Sequence, residues 1–211
     1  MLNDQYETIK TLMNYAVPED RMEEARELLD SFQTDPIALN LLQAFYSYLP
    51  EGDNDYIKAL LLVARKKGLF LLCVRAGLGD YFYIANRERA EFLGSCDEGI
   101  TEKEPLDFFD LPLDGKGLDD PLKFSEYSPA QENANICPGC FVADGELHQL
   151  GCPVESCPWC GGQLTSCNCR FEAVGKDKMS GEDDLQLLEQ ALDEKGRIPF
   201  DAANERPGYP V

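Results

Sequence analysis

Seven of the nine cysteines and the only histidine, His148, fall between Cys137 and Cys169. They form four close pairs: Cys137 with Cys140 in C-P-G-C, His148 with Cys152, Cys157 with Cys160 in C-P-W-C, and Cys167 with Cys169 in C-N-C. Thiolate and imidazole are the preferred donors of structural zinc, which takes four ligands at tetrahedral corners. Eight donors in four pairs therefore predict two closed sites and two Zn2+ ions. Each C-x2-C turn brings two sulfurs to one ion, with backbone N–H groups directed at them. Proline inside both turns fixes φ, and Gly161-Gly162 after Cys160 supply the left-handed residue that closes such a turn. CPWCGG reads as a zinc knuckle. CPGC before Phe141 is the same device without the trailing glycine, and Gly139 loosens it.

Two ways of sharing the pairs are open. Cys137/Cys140 with Cys157/Cys160 gives C-x2-C-x16-C-x2-C, close to a common zinc spacing, and leaves His148, Cys152, Cys167 and Cys169 for an interleaved second site. The alternative joins neighbours along the chain: 137/140/148/152 and 157/160/167/169. The interleaved arrangement is preferred because both knuckle-like pairs then share one ion. The segment holds few ordinary core residues, so the metal is expected to supply its folding energy.

The same donors argue against catalysis. A catalytic zinc keeps an open position with three protein ligands, and eight donors in two sites leave none open. A zinc deaminase needs H-x-E, whereas this chain reads Glu146-Leu147-His148. Glu146 and Glu155 read as surface carboxylates. The thiols are too many for one redox pair and lack a βαβ context. Oxidation of bound thiolates would release metal, so a zinc–thiolate redox sensor stands as an alternative. Cys73, in an apolar run, reads as a buried small hydrophobe, and Cys96, in GSCDEG, as exposed. No catalytic residue is assigned. An active site somewhere in residues 1–112 is the second alternative.

The run GELHQLGCPVESCPWCGGQLTSCNC resembles a segment of uncharacterised bacterial proteins: C-P-x-C, then G-x-x-H, then G-C-x-x-E-x-C-P-x-C-G-G-Q, then C-x-C. The likeness covers roughly 35 residues, with KGRIPF (195–200) as a further piece. More broadly the segment is similar to zinc-ribbon-like modules. The resemblance implies metal binding and a bacterial source. It implies no particular task, because ribbons serve many.

The remaining chain must carry this segment. Tyr6, Ile9, Met13 and Ala16 recur at helical spacing, as do Met22, Ala25, Leu29 and Phe32, with Pro18 between the runs. Thr34 or Asp35 caps a third helix, 36–49, ended by Pro50-Glu51-Gly52. Asp53 or Asn54 caps a fourth, ending near Lys66-Lys67-Gly68. LFLLCVRA (69–76) and YFYIA (81–85) around GLGD predict a β-hairpin. NRERAEFLG returns to helix, and TEKE (101–104) fits a capping box with Thr101 as cap. Residues 183–196 predict a helix with Leu185, Leu188 and Leu192 on one face and Gly196 at its end. Ile198 and Phe200 of the tail pack back onto a neighbour.

The expected fold is α+β: a mainly helical N-terminal domain with a β-hairpin (1–112), a flexible acidic linker (113–134), and a small two-zinc ribbon-like module with a C-terminal helix (135–211). Thirty-nine acidic residues face 19 basic ones, for a net charge of −20. Phosphate repels such a surface, which argues against nucleic acid and against anionic membranes. Within the cysteine segment Arg170 is the only cation, and seven thiolates outweigh two dications. Complementary charge favours a basic protein partner, and an adaptor, antitoxin or immunity protein fits that description. The apolar window 59–74 is broken by Arg65-Lys66-Lys67 and is too short to span a bilayer. No targeting segment is visible, so a cytoplasmic location is expected, where clustered thiols bind metal more often than they pair.

Overall fold

The computed structural model describes residues 2–49, 54–113, 117–118, 120–130 and 133–205. The chain divides into two units, Met1–Glu132 and Asn133–Val211.

The first unit opens with helices α1 (Leu2–Ala16), α2 (Met22–Ser31) and α3 (Pro36–Tyr48), with a 3-10 turn at Glu19–Arg21 after Pro18. Ile9, Met13 and Ala16 of α1 and Ala25 and Leu29 of α2 are buried, as their spacing predicts. Asp35 is the N-cap of α3: its carboxylate accepts from the N–H groups of Ile37 and Ala38, and Pro36 occupies the first turn. Leu49 is the C-cap; Pro50-Glu51-Gly52 and Asp53 lie outside the described residues.

The expected fourth helix is instead a strand, β1 (Ile57–Lys66), paired antiparallel with β2 (Leu69–Ala76). Lys67 and Gly68 both have positive φ, at 52° and 76°, and form the two-residue turn whose twist matches that of a hairpin. A continuous apolar run such as ALLLVA reads equally as buried helix or buried strand, and the turn decides it. The predicted hairpin is present, as β2 and β3 (Asp80–Ala85). NRERAEFLG is a turn followed by a strand: the Asn86 side chain accepts from the N–H groups of Glu88 and Arg89, and β4 (Ala90–Ser95) pairs with β3. Helix α4 (Lys103–Phe108) starts from Glu102, without a side-chain cap, rather than from Thr101.

The described residues of 113–134 are not a free linker. Leu118 is buried in the core, and β5 (Ser125–Glu126) pairs with Leu61 and Leu62 of β1. The result is a five-stranded antiparallel sheet, β4-β3-β2-β1-β5, in place of a mainly helical domain. Helices α2 and α3 lie against strands β1, β3 and β4. A second cluster joins Leu71, Cys73 and Phe82 of the sheet to Cys96, Ile100, Leu106 and Phe109. Cys96 is therefore buried, not exposed, with its Sγ 3.3 Å from that of Cys73. Among the described residues no helix is long and apolar enough to cross a membrane.

Asp35 ties these parts together. Its second oxygen accepts from the Tyr127 hydroxyl at 3.0 Å and the Ala130 N–H at 2.6 Å, in a buried setting. Removing the carboxylate costs a helix cap, about 1 kcal/mol, and strands two buried donors at roughly 1–3 kcal/mol each. Asp35→Ala should destabilise the first unit by about 3 kcal/mol in urea unfolding, and Tyr127→Phe by about 1 kcal/mol. An Asp35→Ala loss no larger than that of Tyr127→Phe would contradict this role.

Candidate metal centres

The second unit is built around two turns of the same design. In the first, the isolated bridge Ile136↔Ala143 flanks C-P-G-C; Cys137 N–H donates to Val142 O and Phe141 N–H to Cys137 O, both at 2.9 Å. In the other, the bridge Ser156↔Gln163 flanks C-P-W-C; Cys157 N–H donates to Gly162 O at 2.6 Å and Gly161 N–H to Cys157 O at 2.8 Å. The residue four past the leading cysteine takes the left-handed conformation in both, Gly161 at φ 74° and Phe141 at φ 61°. Phe141 bears that strain because its ring is buried.

These turns bring the eight predicted donors into two groups, Cys137/Cys140/His148/Cys152 and Cys157/Cys160/Cys167/Cys169. Within each, the donor atoms lie within 4.8 Å of one another, so each group could hold a metal ion. The pairs are shared sequentially, and the interleaved arrangement is wrong. Each β-bridge closes its knuckle on itself, so the next donor pair along the chain is the one that returns to it.

The first centre is sealed, with Cys137, Cys140, His148 and Cys152 between 0% and 4% exposed. Sγ of Cys137 and Cys152 are 3.7 Å apart, and Cys140 Sγ is 3.4 Å from His148 Nδ1. Zinc–sulfur bonds of about 2.3 Å at tetrahedral angles place sulfurs about 3.8 Å apart. The observed edge fits that figure. Gly139 does more than loosen the turn: a Cβ there would lie 2.9 Å from Cys152 Sγ. Its absence lets the second pair reach the first.

With Nδ1 directed at the centre, His148 Nε2 faces the Glu205 carboxylate at 3.1 Å. Asp201 N–H also donates to that carboxylate, and the Phe200 ring meets the imidazole edge-on at 5.4 Å. Burial alone would lower the His148 pKa, but hydrogen bonds to Cys140 and Glu205 outweigh it and raise the value. The thiols share protons unequally. Hydrogen bonds with Cys140 and Cys152 pull Cys137 down to about 3, and hydrogen bonds with Cys137 and Cys140 push Cys152 up.

The second centre is more open. Cys157 is buried, Cys167 and Cys169 are half-buried, and Cys160 is exposed. The Gly162 N–H, then the Cys157 and Cys169 thiols, lower the Cys160 pKa, and the Cys160 contact raises Cys169 to about 12. Cys169 is the first residue of helix α5 (Cys169–Val174), which packs on α6 (Glu182–Lys195). Leu188 and Leu192 of α6 reach Cys157 and Leu164. Leu185, expected on the same face, is exposed; buried Asp184 joins that face instead. Asp184 pairs with Lys176 and accepts from Ser180 N–H at 2.9 Å, contacts that hold its carboxyl below the usual carboxylate range. Gly196 is the C-cap of α6, as predicted.

The sequence reading missed Glu155, Arg197 and Glu205. Glu155 is not a surface carboxylate: it is fully buried between the two centres and takes two bonds from Arg197, at 2.6 and 3.1 Å. Glu146 is half-buried and accepts from Ala143 N–H at 2.7 Å. The KGRIPF piece was the available signal, since it contains Arg197 and Phe200. No family model, curated protein or solved structure matches the chain.

A carboxylate on the far nitrogen of a metal-bound histidine orients the ring and raises its basicity, and its loss costs about 10–100-fold in metal affinity. Glu205→Gln should weaken one ion by that order in a chelator competition and leave the other unchanged. Equal affinity in the variant and the parent would show that Glu205 has no such part.

Proposed function

We propose that each tetrad binds one zinc ion as a closed structural site, and that the chain serves as a binding protein for a basic protein partner rather than as an enzyme. The 3.7 Å sulfur edge in a sealed Cys3His group carries the zinc reading, with the all-cysteine group beside it. Four protein donors per ion leave no position for substrate.

The partner reading rests on the first unit. Its residues up to Glu132 include 13 basic and 26 acidic side chains. A cleft of about 540 Å³ opens between the end of α3 and strands β3 and β4. Phe45, Tyr48, Tyr81, Tyr83 and Phe92 line it, with Glu91 the one carboxylate among the described lining residues. Tyr81 and Phe92 stand 6.2 Å apart and Tyr83 and Phe92 5.4 Å, while Tyr48 and Phe92 are well exposed. Ring faces and an acid attract a lysine or arginine side chain, and exposed aromatics are what an interface anchors on. One carboxylate without a base or nucleophile offers binding, not acid–base catalysis. An acidic adaptor, antitoxin or immunity protein has this chemistry.

Mass spectrometry of protein purified without added metal should give two zinc ions per chain, and Cys137→Ser should retain one. Chelation should unfold residues 133–205 and leave the β-sheet spectrum of the first unit, because small metallo-units draw folding energy from the ion. Iron with inorganic sulfide, or an unchanged spectrum on chelation, would overturn the structural zinc. Peptides rich in lysine or arginine should shift the Tyr81 and Tyr83 ring resonances, glutamine analogues should not, and Phe92→Ala should abolish the shift. No shift with any basic peptide would refute the cationic partner.

A further inference from the structure

The two centres differ in one respect that zinc binding does not require: access. Every donor of the first is buried, the three cysteines packed with Val142 and Phe200, with Glu205 closing the histidine side. In the second, only Cys157 is buried, and Cys160 stands exposed at the end of the C-P-W-C turn. The clustered side chains Leu164, Leu188 and Leu192 are packed with Cys157. All four donors of the second centre are sulfurs, so every bond to its ion can be lost by oxidation.

We infer that the Cys157/Cys160/Cys167/Cys169 centre is an oxidation site, at which a hydroperoxide converts Cys160 and Cys169 to a disulfide and releases the ion, while the Cys137 centre keeps its own. This rests on the zinc reading above. The Cys160 thiolate attacks the outer peroxide oxygen; an S–O bond forms, the O–O bond breaks, and the departing alkoxide or hydroxide takes a proton from water. The Cys169 thiolate, whose sulfur lies within 4.8 Å, then attacks the sulfenic sulfur. An S–S bond forms and the S–O bond breaks. Hydroxide leaves and is protonated. Two thiolates have lost two electrons, and the hydroperoxide has been reduced to an alcohol (or water) and water. The two sulfurs that remain on the ion hold it too weakly to keep it.

The consequence is local. Cys169 begins α5, and α5 packs on α6. A cleft of about 460 Å³ lies along these helices, lined by Leu164, Arg170, Phe171, Met179, Leu185 and Leu188. Release of the ion unpins α5 and reshapes this cleft. The first centre and the Glu155–Arg197 pair hold the rest of the unit. The second centre is thus a switch on one surface, not a trigger for unfolding the chain.

The test uses the full chain loaded with two zinc ions and a few equivalents of hydrogen peroxide. A metallochromic dye follows the zinc, and alkylation with peptide mapping follows the thiols. One zinc should leave about tenfold or more faster than the other, as thiolate oxidation follows exposure. The early disulfide should map to Cys160–Cys169, with Cys137, Cys140 and Cys152 still intact. Release of both ions at one rate, or loss from the Cys137 centre first, would overturn the inference and leave the structural zinc standing. A chain that never holds two zinc ions would refute the zinc reading itself. His148→Cys makes the first centre all-sulfur while its neighbours stay in place. If exposure decides, the order of release is unchanged; a reversed order would overturn the argument from access.

Discussion

The second unit depends on four cysteine or histidine donors converging in each of two groups, their atoms within 4.8 Å of one another. Its two core clusters are small, and the donors are among their members: Cys137, Cys140 and Cys152 pack with Val142 and Phe200, and Cys157 packs with Leu164, Leu188 and Leu192. Metal site and hydrophobic core are therefore one object. Features that look local serve the convergence. Gly139 lacks a Cβ where Cys152 Sγ must pass, Phe141 accepts a left-handed backbone to close the knuckle, and Phe200 returns from the tail to cover the imidazole. None of these has a purpose in a unit held by apolar burial alone. So few apolar residues recover too little free energy to fix the loops between them.

The first unit solves its problem by other means. It has a sheet with apolar contacts to helices on one side and to α4 and its flanking segments on the other, and its long-range tie is a carboxylate. Asp35 caps α3 and, through Tyr127 and Ala130, anchors the segment that follows β5. Strand β1, which would otherwise be the edge, is thereby partly covered by β5, a strand of only two residues, which shortens the exposed ladder at which sheets aggregate. With metal in its tetrads, the second unit would respond to whatever removes that metal, and the first to denaturant.

What could be read from residue order follows from which signals are local. The donor set, the Asp35-Pro36 start, the 69–85 hairpin and the Gly196 cap are each fixed by residues within a few positions of one another, and all are present. The strand at Ile57–Lys66 was read as helix because leucine and alanine favour helix and the apolar run has no clean period of two. It is a middle strand between β2 and β5, so its facing pattern is blurred. The pairing of the donors depended on bridges such as Ile136↔Ala143, which no spacing rule encodes. Glu155 with Arg197 and His148 with Glu205 are 42 and 57 residues apart, and acidic residues are too common in this chain for one to stand out.

Zinc in the two tetrads would not offset the acidity of the chain. Three thiolates, an imidazole and one Zn2+ carry a net −1; four thiolates and one Zn2+ carry −2. Arg170, directly after the donor run, is spent on the Leu164 and Thr165 carbonyls. Arg197 is neutralised by Glu155. Loaded centres would therefore add negative charge to a unit that is already acidic. Both units are acidic by composition, a charge that electrostatics matches with a basic surface and sets against phosphate. Four protein donors at each group would leave a bound ion no open position for substrate, so its effect would be on shape. At the second group, where Cys160 is exposed, such a site would last only as long as its four sulfurs stay reduced.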